Sequence, residues 1–465
     1  MDTVSGHNHG NKRPGTIAGR LSAVSGAAPL KSLLPLPIAL YLLIVITPVR
    51  FNLGPLLMTG LRLYLILLII PLVFRLLSGR MGGIFAIDVL FILHIIWMTI
   101  ALSMNNPDMV VTQFGSVGVE FLGGYLLARA YIRTPESFSA LCRWIVMIVV
   151  FTAPFAVIES INGRPIIIET INRIPGLFSV SDVQNPPRMG LERAQVVFAH
   201  PIHYGLFCSV AMSLCFVALR DQISDFWRYM FSGIILISGF LALSSGALLA
   251  IVLQLCLIIW AVLFKGLRWR WWLLVGLFAI AYIIVEVLSN RSAIIVLLSY
   301  ASFSAHNAYW RSIIFEWGMV NVWANPVFGI GLNDWVRPWY MFSGSMDNFW
   351  LVMAVRYGIP GFLLVATGYA LGLFRVMRRN FDTDPVLLNF RRAWVFTFMG
   401  LSFTLSTVHV WTNIYSFVFF IFGAGVWFIT AKPRSEEDAS GPVTEERILL
   451  PYTRFAKPAS APALT

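Results

Sequence analysis

Residues 306–360 read HNAYWRSIIFEWGMVNVWANPVFGIGLNDWVRPWYMFSGSMDNFWLVMAVRYGIP. The stretch holds six of the sixteen tryptophans of the chain, and long apolar runs lie on both sides of it. It also gathers charged side chains that those runs lack: Arg311, Glu316, Asp334, Arg337, Asp347 and Arg356. Charge and aromatic rings therefore converge where an apolar chain is interrupted.

The composition predicts a membrane protein. Hydrophobic residues make up 58% of the chain and charged residues 12%, whereas about a quarter of a soluble domain is charged. Mean hydropathy is +0.77. Apolar runs long enough to cross about 30 Å of hydrocarbon recur about twelve times, which predicts an all-α polytopic membrane protein with about twelve transmembrane helices. The predicted spans lie near 33–49, 55–75, 83–103, 110–130, 139–158, 201–219, 229–243, 246–264, 271–288, 349–374, 393–411 and 413–430.

The net charge of +12 indicates orientation rather than nucleic-acid binding, because the basic residues are spread between the spans. Arginines and lysines recur in five successive connections on one side, which the positive-inside rule places in the cytoplasm together with both termini. One transmembrane domain at 33–430 is then expected between disordered cytoplasmic tails at 1–32 and 431–465. The four cysteines, Cys142, Cys208, Cys215 and Cys256, lie in or beside spans, so neither a disulfide framework nor a zinc site is predicted.

Two larger connections, 159–200 and 289–348, are predicted on the outer side. Long connections without linker composition are usually functional. These two hold arginines that run against the positive-inside bias, which favours an anionic ligand on the outer face. The arginines are Arg164, Arg173, Arg188, Arg193, Arg291, Arg311 and Arg337.

The second connection has its own pattern. Apolar residues recur at helical spacing, which predicts a short amphipathic helix on the membrane surface. They are Trp310, Ile313, Ile314, Trp317 and Val320. The following NPVFGIGLNDW, at 325–335, predicts turns whose backbone N–H groups face an anion.

These motifs resemble those of the O-antigen ligase and polymerase superfamily, bacterial membrane glycosyltransferases that act on undecaprenyl-diphosphate-linked glycans. The resemblance rests on four motifs and covers about residues 185–430. They are Arg311 in an outer-loop helix, NPVFGIG at 325–331, DNFWL at 347–351 leading to YGIPG at 357–361, and MGLERAQVVFAHPIHYG at 189–205 with Arg193 at the family arginine.

Two departures from the family pattern bear on function. Asp347 stands where ligases carry a histidine, and Ser244-Ser245-Gly246 replaces a Ser-Arg-Gly that members often show. The first departure favours a polymerase over a ligase, and the second removes one candidate phosphate contact.

The resemblance implies a GT-C-like multi-pass protein of the bacterial inner membrane with a periplasmic active site. It implies joining of undecaprenyl-diphosphate-linked repeat units in exopolysaccharide or O-antigen polymerisation. Its implied partners are that glycan, a glycan acceptor, the bilayer and other polysaccharide export or assembly proteins, without nucleic acid. An O-antigen ligase acting on lipid A-core remains an alternative, as does a transporter or flippase, although no half-to-half repeat favours the latter.

The leaving diphosphate needs positive charge. The outer loops lack a carboxylate cluster suited to a hard cation, so no metal or other cofactor is expected. Arginine grips phosphate oxygens through a planar fork, and the resemblance assigns Arg311 and Arg193 first to the diphosphate, and Arg188 and Arg337 second.

Asp347 is the candidate general base for the acceptor hydroxyl, or a helix N-cap, or both. Glu316 is the alternative base, or the partner of an arginine. Asn348, beside Asp347 in the same motif, is placed with the substrate-binding residues.

Two arginines fall inside predicted spans, where an ionisable residue suggests function. Arg356 would form a phosphate-binding floor about 13 Å along the helix from Asp347, whereas Arg62 is expected to pair with Glu120.

The histidines and tryptophans have weaker assignments. The spacing of His200 and His203 offers no third metal ligand, so a structural or acceptor contact is expected of His203. Trp310, Trp335 and Trp350 are candidate sugar stackers, although a membrane-interface belt explains most of the tryptophans.

Overall fold

The computed structural model describes residues 33–53, 56–183, 186–289, 296 and 305–433. Most of them form helices, and the strands are β1 (Arg50–Leu53) and β2 (Leu56–Thr59). The helices are α1 (Leu36–Val45), α2 (Gly60–Leu77), α3 (Ala86–Asn105), α4 (Pro107–Tyr131), α5 (Pro135–Asn162), α6 (Ile166–Asn172), α7 (Pro201–Ala218), α8 (Asp225–Leu241), α9 (Ser245–Leu263), α10 (Arg270–Leu288), α11 (Ala305–Ala324), α12 (Phe349–Met377), α13 (Pro385–Leu405) and α14 (Thr412–Gly423). Apart from residues 431–433, the predicted tails lie outside the described residues.

Nine helices among the described residues are long and apolar enough to cross a membrane: α2, α3, α4, α5, α7, α9, α10, α12 and α14 with its extension to Ile429. The three other predicted spans are helical as well. However, α1 has 10 residues and α8 has 17, while α13 carries Arg391 and Arg392 near its start. The helical membrane architecture is confirmed, and the number twelve stays a prediction.

The boundary between the first two predicted spans was wrong. α1 ends at Val45, and Arg50–Leu53 pairs antiparallel with Leu56–Thr59 instead of continuing a helix. Pro48 explains the break, because proline disfavours a helical conformation in the residue before it. The backbone of Arg50 also pairs with that of Phe178, so the hairpin is tied to the first large loop.

Close helix packing forms the core. A Cβ on Gly124 would meet the hydroxyl and carbonyl oxygens of Ser416, and one on Gly423 would overlap the carbonyl of Tyr125. Small residues let α4 and α14 approach closely, which is the usual way for membrane helices to associate. Between these helices lies an aromatic cluster in which the rings of Phe121 and Phe419 are 4.2 Å apart.

Two ion pairs neutralise the charges buried in this core. The guanidinium of Arg129 lies 2.7 Å from Asp88, whose other contacts include the Tyr125 hydroxyl at 2.5 Å. Arg62 lies 3.2 Å from Glu120, so the predicted pairing is confirmed. Since both pairs join different helices, they fix the register of α2, α3 and α4.

The helix predicted in the second outer loop is present as α11. Its stripe packs against the core of the protein at Ile313, Ile314 and Trp317, whereas Val320 is exposed. Gly318 allows Leu351 of α12 to lie against the helix. The stripe was therefore predicted correctly, and most of it packs against the protein core.

Candidate functional site

The end of α5 holds the first arginine segment in place. The carboxylate of Glu159 accepts hydrogen bonds from the backbone N–H groups of Gln195 and Val196, at 2.8 and 2.9 Å. The next residue, Ser160, donates from its hydroxyl to the carbonyl of Glu192 at 2.8 Å. Arg193 lies between these anchored residues, so its backbone is fixed on both sides.

Among the described residues, Arg193 forms no ion pair with a carboxylate. Its Nε is buried and has no hydrogen-bond partner within the described part of the chain. Burial lowers the pKa of Arg193 to about 10, and the charge of Arg188 acts in the same direction. A buried donor beside a like charge suits an anionic ligand, because the anion would satisfy both.

Arg188 comes from a tight turn in the same loop. Its backbone pairs with Leu191 across Met189 and Gly190, both of which have positive φ. Its Nη1 donates to the carbonyl of Leu243 at 2.7 Å, and burial lowers its pKa. The turn directs one arginine of the loop towards the start of α9.

Arg311 belongs to the second outer loop and lies within electrostatic range of Arg188. It is half-buried on α11, and burial lowers its pKa. The charge of Asp347 opposes this effect, whereas that of Arg188 reinforces it. The charge of Arg188 acts on both Arg193 and Arg311, so one arginine of each predicted loop lies within its electrostatic range.

Asp347 is exposed at the entrance to α12. Its Oδ1 accepts a hydrogen bond from the Ser345 hydroxyl at 3.0 Å. The interpretation of Asp347 as the N-cap was wrong: the cap is Asn348, whose Oδ1 accepts from the N–H of Leu351 at 3.1 Å. Asp347 therefore lies outside the helix, and its negative charge acts on Arg311.

The turn at 325–331 has a different role from the one predicted. The N–H groups of Ile330 and Gly331 donate to the carbonyls of Val355 and Arg356, at 2.9 and 3.0 Å, and so are not directed at an anion. α12 is kinked here, because Pro360 has no N–H for the Arg356 carbonyl. The N–H of Ile359 turns away to Pro326.

α3 supports the same turn from the other side. Its C-cap residue Asn106 accepts from the N–H of Leu332 at 2.7 Å and donates to Asn333 at 3.0 Å. The turn therefore has a structural role: it holds the backbone of α12 at Arg356 in place.

A cavity of about 500 Å³ opens beside Arg356, among the 332–335 and 344–346 segments and residues 409–411. Its wall includes His409, whose Nδ1 is buried and unpartnered among the described residues. Burial lowers the pKa of His409 to about 3, and Arg356 adds to this effect. Trp411 lies on the same wall, 4.2 Å from the ring of His203.

Sequence reasoning missed His409 and Trp411. The predicted eleventh span ran to 411, but α13 ends at Leu405, and the turn that follows carries both residues into the cavity. A histidine inside a predicted span was the available signal, because ionisable residues in membrane helices are costly.

Other predicted site residues have local partners. Arg337 forms an ion pair with Asp334 and donates from Nε to the Met341 carbonyl at 3.0 Å. Glu316 is exposed on α11, and the Trp310 ring lies 6.2 Å from that of Tyr340.

Three more residues complete the set. Trp335 donates from Nε1 to the Gly344 carbonyl at 3.0 Å and lines the cavity. Trp350 packs on Tyr369, with the rings 5.2 Å apart. Both ring nitrogens of His203 are buried and lack a partner in the described chain.

Residues 230–366 match the family model described as O-antigen ligase. The resemblance to the O-antigen ligase and polymerase superfamily is confirmed. The matched segment contains Arg311, the 325–331 turn, Asp347 and Arg356. The apolar helices indicate a multi-pass membrane protein, and its segment 230–366 is similar to O-antigen ligases. No curated protein matches the chain.

Proposed function

We propose that this protein joins glycans at the expense of a lipid-diphosphate-linked donor, most specifically undecaprenyl-diphosphate-linked repeat units at the periplasmic face of the bacterial inner membrane. The observation that carries the proposal is the meeting of Arg188, Arg193 and Arg311 beside Asp347. The matched family model supports the reaction class.

The arginines act on the leaving group. When the bond between the anomeric carbon and the diphosphate oxygen breaks, negative charge grows on the diphosphate. Guanidinium groups that are already in place and partly buried stabilise that charge without reorganising. Their half-buried positions strengthen each interaction, because fewer water molecules screen it.

Asp347 acts on the acceptor. An exposed carboxylate that does not cap a helix is free to take the proton of a sugar hydroxyl. That oxygen then forms the new glycosidic bond, and the lipid diphosphate departs. The cavity lined by Trp335, Arg356 and His409 offers room for a sugar next to this step.

Polymerisation is favoured over ligation because Asp347 replaces the histidine of the ligases. A ligase is the second candidate, since the matched family model carries that description. The two activities share the donor and differ in the acceptor that fills the cavity.

Purified protein in nanodiscs would be given lipid-diphosphate oligosaccharide without nucleotide sugar, in parallel reactions with and without a chelator. We expect longer lipid-linked glycans and release of lipid diphosphate, both detected by mass spectrometry. Joining only when lipid A-core is added would indicate the ligase. Transfer of intact glycolipid between leaflets without any joining would overturn the proposal in favour of a flippase, and loss of joining in chelator would overturn metal independence alone.

A further inference from the structure

A second and larger cavity lies at the other end of α12. Its volume is about 1260 Å³, and it opens between the ends of α7 and α9, the start of α10, and the connection from α12 to α13. Met377 lines it, whereas Arg356 lines the first cavity. The two residues are 21 positions apart, which corresponds to about 30 Å of helix, so this cavity is separate from the candidate site.

The lining of this second cavity is strongly basic. Nine of its side chains are arginine or lysine, against the single carboxylate of Asp382. Arg392 lies within electrostatic range of Arg270, Arg391 and Arg220, which repel it, and of Asp382, which attracts it. Such repulsion is a cost in the empty cavity that a bound anion would remove.

The positive-inside rule accounts for basic residues here but not for their burial. An arginine that only sets topology can remain hydrated, as Arg80 does on an exposed turn. In the cavity, by contrast, the Nε atoms of Arg379 and Arg392 are buried and have no hydrogen-bond partner among the described residues. The Nε of Arg228 is also buried and unpartnered there, although its Nη2 pairs with Asp225 at 2.8 Å. Unsatisfied buried donors are expensive and point to a ligand that accepts from them.

Neighbouring groups hold several of these guanidinium planes in place. Arg228 lies 5.1 Å from the rings of both Phe216 and Tyr229. Arg270 lies 5.6 Å from the Trp271 ring, and Arg379 donates from Nη2 to the Ala431 carbonyl at 2.5 Å. Stacked and anchored guanidinium groups lose little freedom on binding, which favours bidentate recognition of a tetrahedral oxyanion.

We propose that this cavity binds a phosphate-bearing ligand. The volume exceeds that of typical small-molecule pockets, roughly 300–1,000 Å³, so it accommodates a phosphate group together with an organic portion. Two sources share this chemistry: the headgroup of an anionic phospholipid and a soluble phosphate compound. The site is independent of the glycan-joining activity, because its residues lie at the opposite end of α12.

The test measures binding of inorganic pyrophosphate by calorimetry in nanodiscs of neutral phosphatidylcholine. All proteins carry Arg193→Ala and Arg311→Ala, which weakens anion binding at the candidate site equally in every variant. On this background, Arg270→Gln/Arg392→Gln removes two cavity charges. The matched control Arg80→Gln/Arg375→Gln removes two exposed charges outside the cavity.

We expect the cavity variant to raise the dissociation constant for pyrophosphate at least about tenfold, since each charge-assisted pair is lost. The control should stay within about twofold at the same ionic strength. Arg392→Lys keeps the charge but loses the planar guanidinium, so its dissociation constant for pyrophosphate should be intermediate. This variant replaces the double variant if the latter unfolds. Equal affinity in the cavity and control variants, or no saturable binding to the background protein, would overturn the proposal.

A second arm separates the two sources. If adding phosphatidylglycerol to the nanodiscs weakens pyrophosphate binding to the background protein but not to the cavity variant, the ligand is a lipid headgroup. If pyrophosphate binds equally well in both lipid compositions, the ligand is soluble. Either result requires the cavity arginines and therefore supports the site.

Discussion

Gly358 lies so close to Val327 that a Cβ at position 358 would overlap the Val327 carbonyl oxygen. Its φ of 72° and ψ of 178° belong to a region open almost only to glycine. This contact seats the 325–331 turn in the kink of α12, and the kink places Arg356 on the wall of the first cavity. The need for glycine at position 358 is thus linked to the position of Arg356 on the cavity wall.

Gly358→Ala should therefore destabilise the protein. The unusual backbone angles alone cost roughly 1–3 kcal/mol for a residue with a side chain, and the overlap with Val327 adds to this cost. We expect a lower melting temperature in detergent, measured by size-exclusion chromatography after heating. Gly276→Ala is the matched control, because nothing lies within 4 Å of a Cβ there. If both variants melted like the wild type, the turn would not depend on the kink.

The sequence predicted the positions of the helices more accurately than their contacts. Hydropathy placed α2 to α5, but the kink at Gly358 fell inside the single predicted span 349–374 and was not predicted. The sequence could not predict which groups donate to the carbonyls of Val355 and Arg356 at the kink. The donors, Ile330 and Gly331, belong to a turn some 25 residues earlier in the chain. Asp347 and Asn348 are both good capping residues, so only the backbone angles of the folded chain could decide between them.

The candidate site was predictable in part. Topology placed the two arginine loops on one side, but the shared influence of Arg188 on Arg193 and Arg311 depends on the tight turn at 189–190. His409 was hidden because the end of a span is set by tertiary packing as well as by hydropathy.

Arg311→Ala should lower the rate of glycan joining by about a hundredfold or more, the usual effect of removing one preorganised charge stabiliser. Arg311→Lys should restore only part of the rate, because lysine keeps the charge and loses the planar fork. The rate would be measured with reconstituted protein at matched concentrations.

The control for that experiment is Arg164→Ala. This arginine belongs to the first outer loop, but its side chain is 74% exposed and its partner Glu169 lies 3.7 Å away. Its rate should remain within about twofold of wild type, as expected for a weak surface ion pair. Equal losses in both variants would show that Arg311 contributes only to a diffuse positive field.

Acid should destabilise the protein through His200. Burial lowers its pKa from 6.5 to about 4, and Arg193 and Arg188 act in the same direction. The unfolded chain then binds a proton that the folded chain excludes, so stability is present above pH 6.5 and is lost as the pH falls towards 4. Thermal unfolding across this range would measure the loss.

His200→Asn is the informative variant for this titration. The Nδ1 of His200 accepts from the N–H of Ile202 at the start of α7, and asparagine can cap a helix in the same way without titrating. The melting temperature of the variant should match wild type at neutral pH and exceed it at pH 5. Parallel melting curves at every pH would rule out His200 as a source of the acid sensitivity.

Asp347→Asn separates a catalytic role from a structural one. Because Asn348 caps α12, neutralising Asp347 should leave the melting temperature nearly unchanged. If the carboxylate takes the acceptor proton, the rate of glycan joining should fall roughly 10²- to 10⁴-fold. Asn348→Ala provides the reciprocal variant, since loss of the cap should cost about 1 kcal/mol of stability.

The two variants give opposite patterns only if the roles are divided in this way. A rate defect with wild-type melting in Asp347→Asn, beside a melting defect in Asn348→Ala, assigns proton transfer to Asp347. Full activity in Asp347→Asn would mean that another group is the general base. Glu316→Gln would then be the next variant, because the Glu316 carboxylate is exposed on α11. If both variants melted at a lower temperature than the wild type, Asp347 would instead stabilise the start of α12 through the hydrogen bond that it accepts from the Ser345 hydroxyl at 3.0 Å.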